Sequence, residues 1–134
     1  MTFSQTVLAL GAAGVALGAT ALAPVVPATA ADPARSRVTF SVDDDNVYFY
    51  GTLASPRPGC RTGRRVFVRE QVGTRGGGDD LPFGSVLVEE TSGRFGVWDL
   101  ALDDDTDGRF YARVRATARC KADSSRTLSA TYGG

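Results

Sequence analysis

The sequence contains no histidine, and this absence limits the chemistry that is open to it. Histidine is the side chain that most often serves as a general base or a metal ligand. None of the serines stands in the Gly-x-Ser-x-Gly turn of a hydrolase nucleophile. The adjacent carboxylates of Glu89 and Glu90 would point to opposite faces of a strand, which prevents them from acting as a catalytic pair. We therefore expect neither enzymatic activity nor a cofactor.

Charged side chains are absent from the first 31 residues, and all 15 basic and 15 acidic side chains follow that segment. The segment has an apolar run over residues 7–23 and then Ala28-Thr29-Ala30, small residues that are typical of a signal-peptidase site. This pattern predicts a secretory signal peptide over residues 1–30 and a mature chain that starts at Ala31. The alternative is a retained helix, which two prolines after the apolar run disfavour. We expect a secreted, extracellular protein.

The chain also lacks an excess of positive or negative charge, and its formal net charge is zero. A balanced chain creates no field that would favour nucleic acid or an anionic membrane. Beyond the first segment, no stretch approaches the ~18 apolar residues that a membrane span needs. We therefore expect no nucleic acid and, once the signal peptide is removed, no membrane among the partners. The remaining classes are a protein or a glycan, bound by a monomer.

Cysteine is scarce, with only Cys60 and Cys120 in the whole chain. In an exported protein, two thiols usually form one disulfide. That bond would close a loop of roughly 60 residues, for which the chain-entropy model gives about 4 kcal/mol of stabilisation. Two cysteines without histidine do not supply the four ligands that zinc requires. We therefore predict a Cys60–Cys120 disulfide.

Helical periodicity is missing after the first segment, and a two-residue alternation of apolar and polar side chains takes its place. Seven segments show this alternation, over residues 37–42, 47–54, 64–72, 85–90, 94–102, 109–120 and 126–132. Turn-forming residues separate them, and the longest loop covers residues 73–84. Such alternation buries one face of each of two sheets. We predict an all-β, seven-stranded antiparallel β-sandwich of the Ig-like kind over residues 37–134, preceded by a flexible lead at 31–36.

Four short patterns carry a family resemblance. They are Gly51-x-Leu53, Val66-x-Val68, Thr91-Ser92-Gly93-Arg94-Phe95 and Gly108-Arg109-Phe110-Tyr111-Ala112-x-Val114. Together they resemble the turns and apolar positions of the prealbumin-like sandwich in carboxypeptidase regulatory domains. The glycine-rich loop and the cysteine pair depart from that family. The resemblance implies a fold only, since the family has no activity of its own to transfer. The chain is also similar to small secreted proteins of actinobacteria.

An alternating run of carboxylates, Asp103, Asp105 and Asp107, precedes Gly108 and has the spacing of the first half of a calcium loop. The twelfth position of that loop is Val114 instead of the bidentate glutamate. Aspartate and glycine are also the residues that ordinary turns favour. We therefore predict a turn without a metal, with the three aspartates as a weak alternative site.

Aromatic and basic side chains dominate the faces predicted to point outward. The candidate binding surface consists of Tyr48, Tyr50, Phe67, Tyr111, Arg113 and Arg115. Tyrosine and arginine are the residues enriched in binding surfaces. The alternative is simple cross-strand packing of residues that favour strands.

A second basic set lies around the first cysteine and on the sixth predicted strand. It consists of Arg57, Arg61, Arg64, Arg65, Arg113, Arg115 and Arg119. If these side chains were neighbours, they would form a cationic stripe for a carboxylate or a sulfated glycan. The zero net charge favours the alternative, a solvated face that is balanced by the aspartate turns.

The sequence thus favours a non-enzymatic binding module that uses one sheet face or the loop at 73–84. Two further hypotheses stay open. The first is an extracellular inhibitor of a hydrolase, with the loop at 55–65 as the inserted finger. The second is a structural component of the cell surface.

Overall fold

The computed structural model describes residues 32–90 and 93–133, so the predicted signal peptide lies outside the described residues. The described chain forms two five-stranded antiparallel sheets. The strands are β1 (Arg37–Val38), β2 (Ser41–Val42), β3 (Tyr48–Ala54), β4 (Arg65–Glu70), β5 (Leu81–Leu87), β6 (Glu89–Glu90), β7 (Phe95–Ala101), β8 (Asp107–Val114), β9 (Asp123–Ser124) and β10 (Leu128–Thr131). The first sheet has the order β1-β3-β7-β6, with β2 also paired to β3. The second has the order β10-β8-β4-β5, with β9 also paired to β8.

The core lies between the two sheets and is built from both. Phe49 of β3 and Phe110 of β8 bring their ring centroids within 5.1 Å across the interface. Phe40 packs against Phe49 at 4.9 Å and against Trp98 at 5.8 Å. Trp98 is only 3% exposed, as the alternation of β7 predicts. The predicted all-β sandwich is confirmed.

The predicted count of seven strands is too low, because two predicted strands are divided and one is new. The first divides into β1 and β2, which both pair with β3 in a single uninterrupted register. The fourth divides at the buried residue Val88. Before Val88, β5 belongs to the second sheet, and after it β6 belongs to the first. The new strand is β9, which lies in a predicted turn.

The predicted sixth strand ends at Val114 instead of reaching Cys120. Just beyond its end, the guanidinium of Arg64 donates to the carbonyl of Arg115 at 2.7 Å, where a strand partner would otherwise donate. Cys120 forms a parallel bridge with Ala34 instead. The N–H of Ala34 donates to Arg119, and its carbonyl accepts from Lys121. The predicted flexible lead is thus hydrogen bonded to the folded unit.

A disulfide joins Cys60 to Cys120, with 5.5 Å between their Cα atoms, and the predicted pairing is confirmed. Cys60 ends a short 3-10 turn, Pro58–Cys60, and its side chain is fully buried. Among the residues that the structure describes, no helix has the length and apolar character to cross a lipid bilayer.

Candidate functional site

The predicted aromatic binding surface does not form, because its members lie on two different sheets. Tyr48 and Tyr50 are exposed on β3 of the first sheet. The other four residues, Phe67, Tyr111, Arg113 and Arg115, belong to the second sheet or follow its strand β8. The core separates the two groups. The sequence showed which residues alternate outward but not which strands share a sheet.

Tyr111 was also predicted to be exposed, and this prediction is wrong. It is 1% exposed, because the loop over residues 71–80 covers it. Its hydroxyl donates to Asp80 Oδ2 at 2.6 Å. Asp80 also accepts from the N–H groups of Gly76 at 2.8 Å and Val72 at 3.3 Å. The loop is shorter than the predicted 73–84, since β5 begins at Leu81. Two of its glycines are hydrogen bonded to Asp80, Gly76 through its N–H and Gly77 through its carbonyl, which accepts from the Asp80 N–H at 3.3 Å.

The ionisation of this pair follows from its contacts. The hydrogen bond from Tyr111 holds the pKa of Asp80 below its ordinary value, against desolvation, with help from the Gly76 and Val72 amides and the charge of Arg69. Desolvation, followed by the contact with Asp80, raises the pKa of Tyr111. The pair is a neutral phenol bonded to a carboxylate at neutral pH, which is a structural arrangement and not a ligand site.

The remaining predicted surface residues form a small local contact. The Arg115 guanidinium lies over the Phe67 ring at 4.1 Å from its centroid. Arg113 is directly opposite Phe67 in the pairing of β4 with β8. This outer face of the second sheet is basic, with Arg113 and Arg115 exposed on it.

The basic set around Cys60 does not form a cationic stripe, because three of its arginines serve the fold. Arg64 is 7% exposed and donates to the carbonyls of Cys60, Arg115 and Lys121 and to the Ser36 hydroxyl. Burial lowers its pKa. Arg61 is buried and donates to the Gly93 carbonyl. Arg57 donates to the Arg119 carbonyl at 2.7 Å. The exposed members are Arg65, Arg113, Arg115 and Arg119. Arg57 and Arg64 contact the backbone carbonyls of Arg119 and Arg115.

Asp103 and Asp105 lie at a turn, as predicted. The Asp103 N–H donates to the Thr106 hydroxyl at 3.0 Å, which closes the turn. Asp107 already belongs to β8, where its Oδ1 accepts from the Thr131 hydroxyl at 3.1 Å. Within residues 32–90 and 93–133, no group of three or more carboxylate, cysteine or histidine side chains is arranged to hold a metal ion.

A cleft of about 960 Å³ lies where an edge of the first sheet faces the end of the second. One wall is the segment that contains β1 and β2, and the other contains β9. The lining residues are Arg35, Ser36, Arg37, Val38, Thr39, Phe40, Ser41, Ala54, Ser55, Pro56, Arg94, Asp123, Ser124, Ser125 and Arg126. We call this cavity the arginine cleft.

Positive charge predominates in the arginine cleft. Four arginines line it, and all four are exposed: Arg35, Arg37, Arg94 and Arg126. The single carboxylate among the described lining residues is Asp123, and its Oδ2 accepts from the Val38 N–H at 2.7 Å. The cleft therefore has an excess of positive charge in a chain whose net charge is zero.

A second, smaller cleft has the opposite character. It measures about 400 Å³ and crosses the outer face of the first sheet. Glu89 and Asp99 line it beside Tyr50, with no arginine or lysine among its described lining residues. The zero net charge thus conceals a basic cleft and an acidic one.

Sequence reasoning missed the four arginines of the cleft. They come from the segment before β1, from β1 itself, from the turn before β7 and from the turn before β10. No short pattern links them, because only the pairing of distant strands makes them neighbours. The one available signal was their type, since exposed arginine is common at binding sites.

No family model matches this chain, and the searches of curated proteins and of solved structures likewise produced no match. The resemblance to carboxypeptidase regulatory domains therefore stays a prediction.

Proposed function

We propose that this protein is a secreted, non-enzymatic binding module, and that it holds an anionic ligand in the arginine cleft. The observation that carries the proposal is the charge of the cleft, where four exposed arginines face a single carboxylate that is already hydrogen bonded. The predicted signal peptide and the Cys60–Cys120 disulfide support an extracellular location.

Arginine suits this role because its planar guanidinium binds a carboxylate, sulfate or phosphate through two parallel hydrogen bonds. The cleft also offers hydroxyl groups from Ser41 and Ser124, which can donate to the same oxygens. Its size fits a ligand larger than a single ion, since small-molecule sites usually measure about 300–1,000 Å³. An anionic polymer would place one charged group near each arginine.

The inhibitor hypothesis has less support in this structure. An inhibitory finger needs side chains that project from a rigid loop. In the loop at 55–65, however, Cys60, Arg61 and Arg64 all turn into the protein. This loop is better described as an anchor for the disulfide than as a finger.

The test is direct binding of two polyanions, poly-L-glutamate and heparin, to the purified protein by isothermal titration calorimetry. The double variant Arg37→Gln/Arg126→Gln should weaken binding of at least one polyanion by about 10-fold or more, because each lost charge-assisted hydrogen bond contributes about 1.5–3 kcal/mol. Raising the salt concentration should weaken binding of the unmodified protein as well.

The matched control is Arg65→Gln/Arg113→Gln, which removes the same charge from the outer face of the second sheet. The control should bind as the unmodified protein does. If the two double variants lose affinity equally, the attraction is a property of total charge, and the proposal is wrong. If neither polyanion binds to the unmodified protein, the proposal is also wrong.

A further inference from the structure

The outer face of the first sheet carries three exposed aromatic side chains. Along β3, Phe49 points into the core, so Tyr48 and Tyr50 point outward. Along β7, Trp98 points into the core and Phe95 points outward. Tyr48, Tyr50 and Phe95 are 48%, 46% and 39% exposed. Large apolar side chains that share an exposed face indicate an interaction surface. We call the outward-facing residues of β3 and β7 the tyrosine face.

Large and small side chains on the tyrosine face form a self-complementary pattern. Tyr48, at the start of β3, lies directly opposite Ala101 of β7, and Ala54, at the end of β3, lies directly opposite Phe95. Each end of the face therefore combines one aromatic ring with one alanine. Under a two-fold rotation whose axis lies between two such faces and crosses β3 at its middle, Tyr48 of one copy lies over Ala54 of the other. Phe95 likewise lies over Ala101, so that each ring meets a small side chain.

The two ends of the tyrosine face carry opposite charge. At the end where β3 stops, Arg37 is paired with Ala54 and Arg94 directly precedes Phe95, and both arginines are exposed. At the other end, the turns before β3 and after β7 lie side by side, because the two strands pair along their whole length. These two turns contain five exposed aspartates and no lysine or arginine: Asp44, Asp45, Asp103, Asp104 and Asp105. The same two-fold rotation brings the basic end of one copy over the acidic end of the other, which is electrostatically favourable.

We propose that two copies of this protein form a two-fold symmetric dimer through the tyrosine face. A two-fold interface uses the same patch on both subunits, so the patch must be complementary to itself. The tyrosine face meets this condition in both shape and charge. Its apolar centre and charged ends also match the usual anatomy of a protein interface. The monomer predicted from the sequence did not take this pattern into account, because the pairing of β3 with β7 creates it.

The test is sedimentation equilibrium of the purified protein over a range of concentrations, where we expect a monomer–dimer equilibrium. Ala101→Arg places a long charged side chain where Phe95 of the second copy packs, outside the arginine cleft. It should raise the dissociation constant of the dimer by about 10-fold or more. The matched control is Ala118→Arg, the same change at an exposed alanine between β8 and β9. The control should dimerise as the unmodified protein does, and circular dichroism checks that both variants are folded.

Charge reversal tests the orientation of the two copies. Asp104→Arg/Asp105→Arg makes both ends of the tyrosine face basic, and Arg37→Asp/Arg94→Asp makes both ends acidic. Each double variant should weaken the dimer by about 10-fold or more, because the two-fold axis places like charges together at both ends. The variant with all four changes should regain most of the lost affinity, since its ends again carry opposite charges. This recovery is expected only if the two ends meet across the interface.

Three results would overturn the inference. They are a monomer at every concentration, a dimer that tolerates Ala101→Arg as well as it tolerates Ala118→Arg, and a four-residue variant that stays as weak as either pair. A series of species larger than the dimer would also contradict it, because a two-fold interface closes after two copies. The proposed function is judged separately, by heparin binding to Ala101→Arg, which should match that of the unmodified protein. A dimer that binds no polyanion would leave this inference standing and refute the anion site alone.

Discussion

The Tyr111 hydroxyl and the Asp80 carboxylate are joined by a buried 2.6 Å hydrogen bond. Asp80 ends the loop over residues 71–80, and Tyr111 lies in the middle of β8. Because Asp80 also accepts from two amides of the loop, this one carboxylate ties the glycine-rich segment to the second sheet.

Removing the hydroxyl should release the loop. In Tyr111→Phe, Asp80 loses a charge-assisted bond and keeps its two amide donors. We expect the melting temperature to fall by roughly 5–15 °C, with faster amide exchange at Gly76. The matched control is Tyr50→Phe, whose ring is exposed on β3, and it should melt like the unmodified protein. Equal melting temperatures for all three proteins would contradict the role assigned to the pair.

The same pair predicts how stability depends on pH. The pKa of Asp80 is lowered in the folded state, first by the Tyr111 hydrogen bond. Its contribution to the free energy of unfolding is therefore complete above about pH 4, the range of an unfolded aspartate, and is lost as the pH falls through the lower folded value. Tyr111 has a raised pKa, so its contribution is lost as the pH rises above about 10.

Urea unfolding between pH 2 and pH 6 measures the acidic limb. Asp43 contributes in the same direction: desolvation acts to raise its pKa, but hydrogen bonds from Tyr48 and Val47 outweigh it and lower the pKa. The Asp80→Asn variant should therefore show a shallower loss of stability below pH 4 than the unmodified protein, without becoming flat. A slope that is unchanged by this substitution would show that Asp80 is not responsible.

Arg64 is expected to resist even a conservative change. Its guanidinium serves three carbonyls and the Ser36 hydroxyl at once, which the single ammonium of lysine cannot reach. Arg64→Lys should lower the free energy of unfolding by about 2–4 kcal/mol, because it removes donors from the buried Cys60 carbonyl and from the part-buried carbonyls of Arg115 and Lys121. The control is Arg65, the neighbouring exposed residue. Arg65→Lys should change the free energy of unfolding by less than about 0.5 kcal/mol. A similar effect of both changes would argue against a structural role for Arg64.

The sandwich could be predicted from local pattern because each sheet buries one face. Phe49 and Leu53 alternate with tyrosine and threonine along β3, and both are fully buried. The same rule placed Trp98 in the core. The pairing of the two cysteines required no geometry, since each had only the other as a possible partner. These features depend on residues close in sequence or on a single possible pairing.

The features that could not be predicted depend on contacts between residues that are distant in sequence. Alternation placed Tyr111 on the outside of β8, but it could not show that a loop would fold over it. Nor could it show that Arg64, in a run of basic residues, would turn inward to bind carbonyls. The arginine cleft is the clearest case, because Arg35 and Arg126 become neighbours only through the arrangement of two sheets.

The change of sheet at Val88 has a consequence for unfolding. Val88 donates to the carbonyl of Arg64 and accepts from the N–H of Gly63, so this single residue is fixed between β5 and β6. No flexible linker separates β5 from β6 at this point. One sheet therefore cannot move away while the other stays intact, since the ladder of β5 or that of β6 would have to break first. The domain should lose both sheets in one cooperative transition, with equal calorimetric and van't Hoff enthalpies.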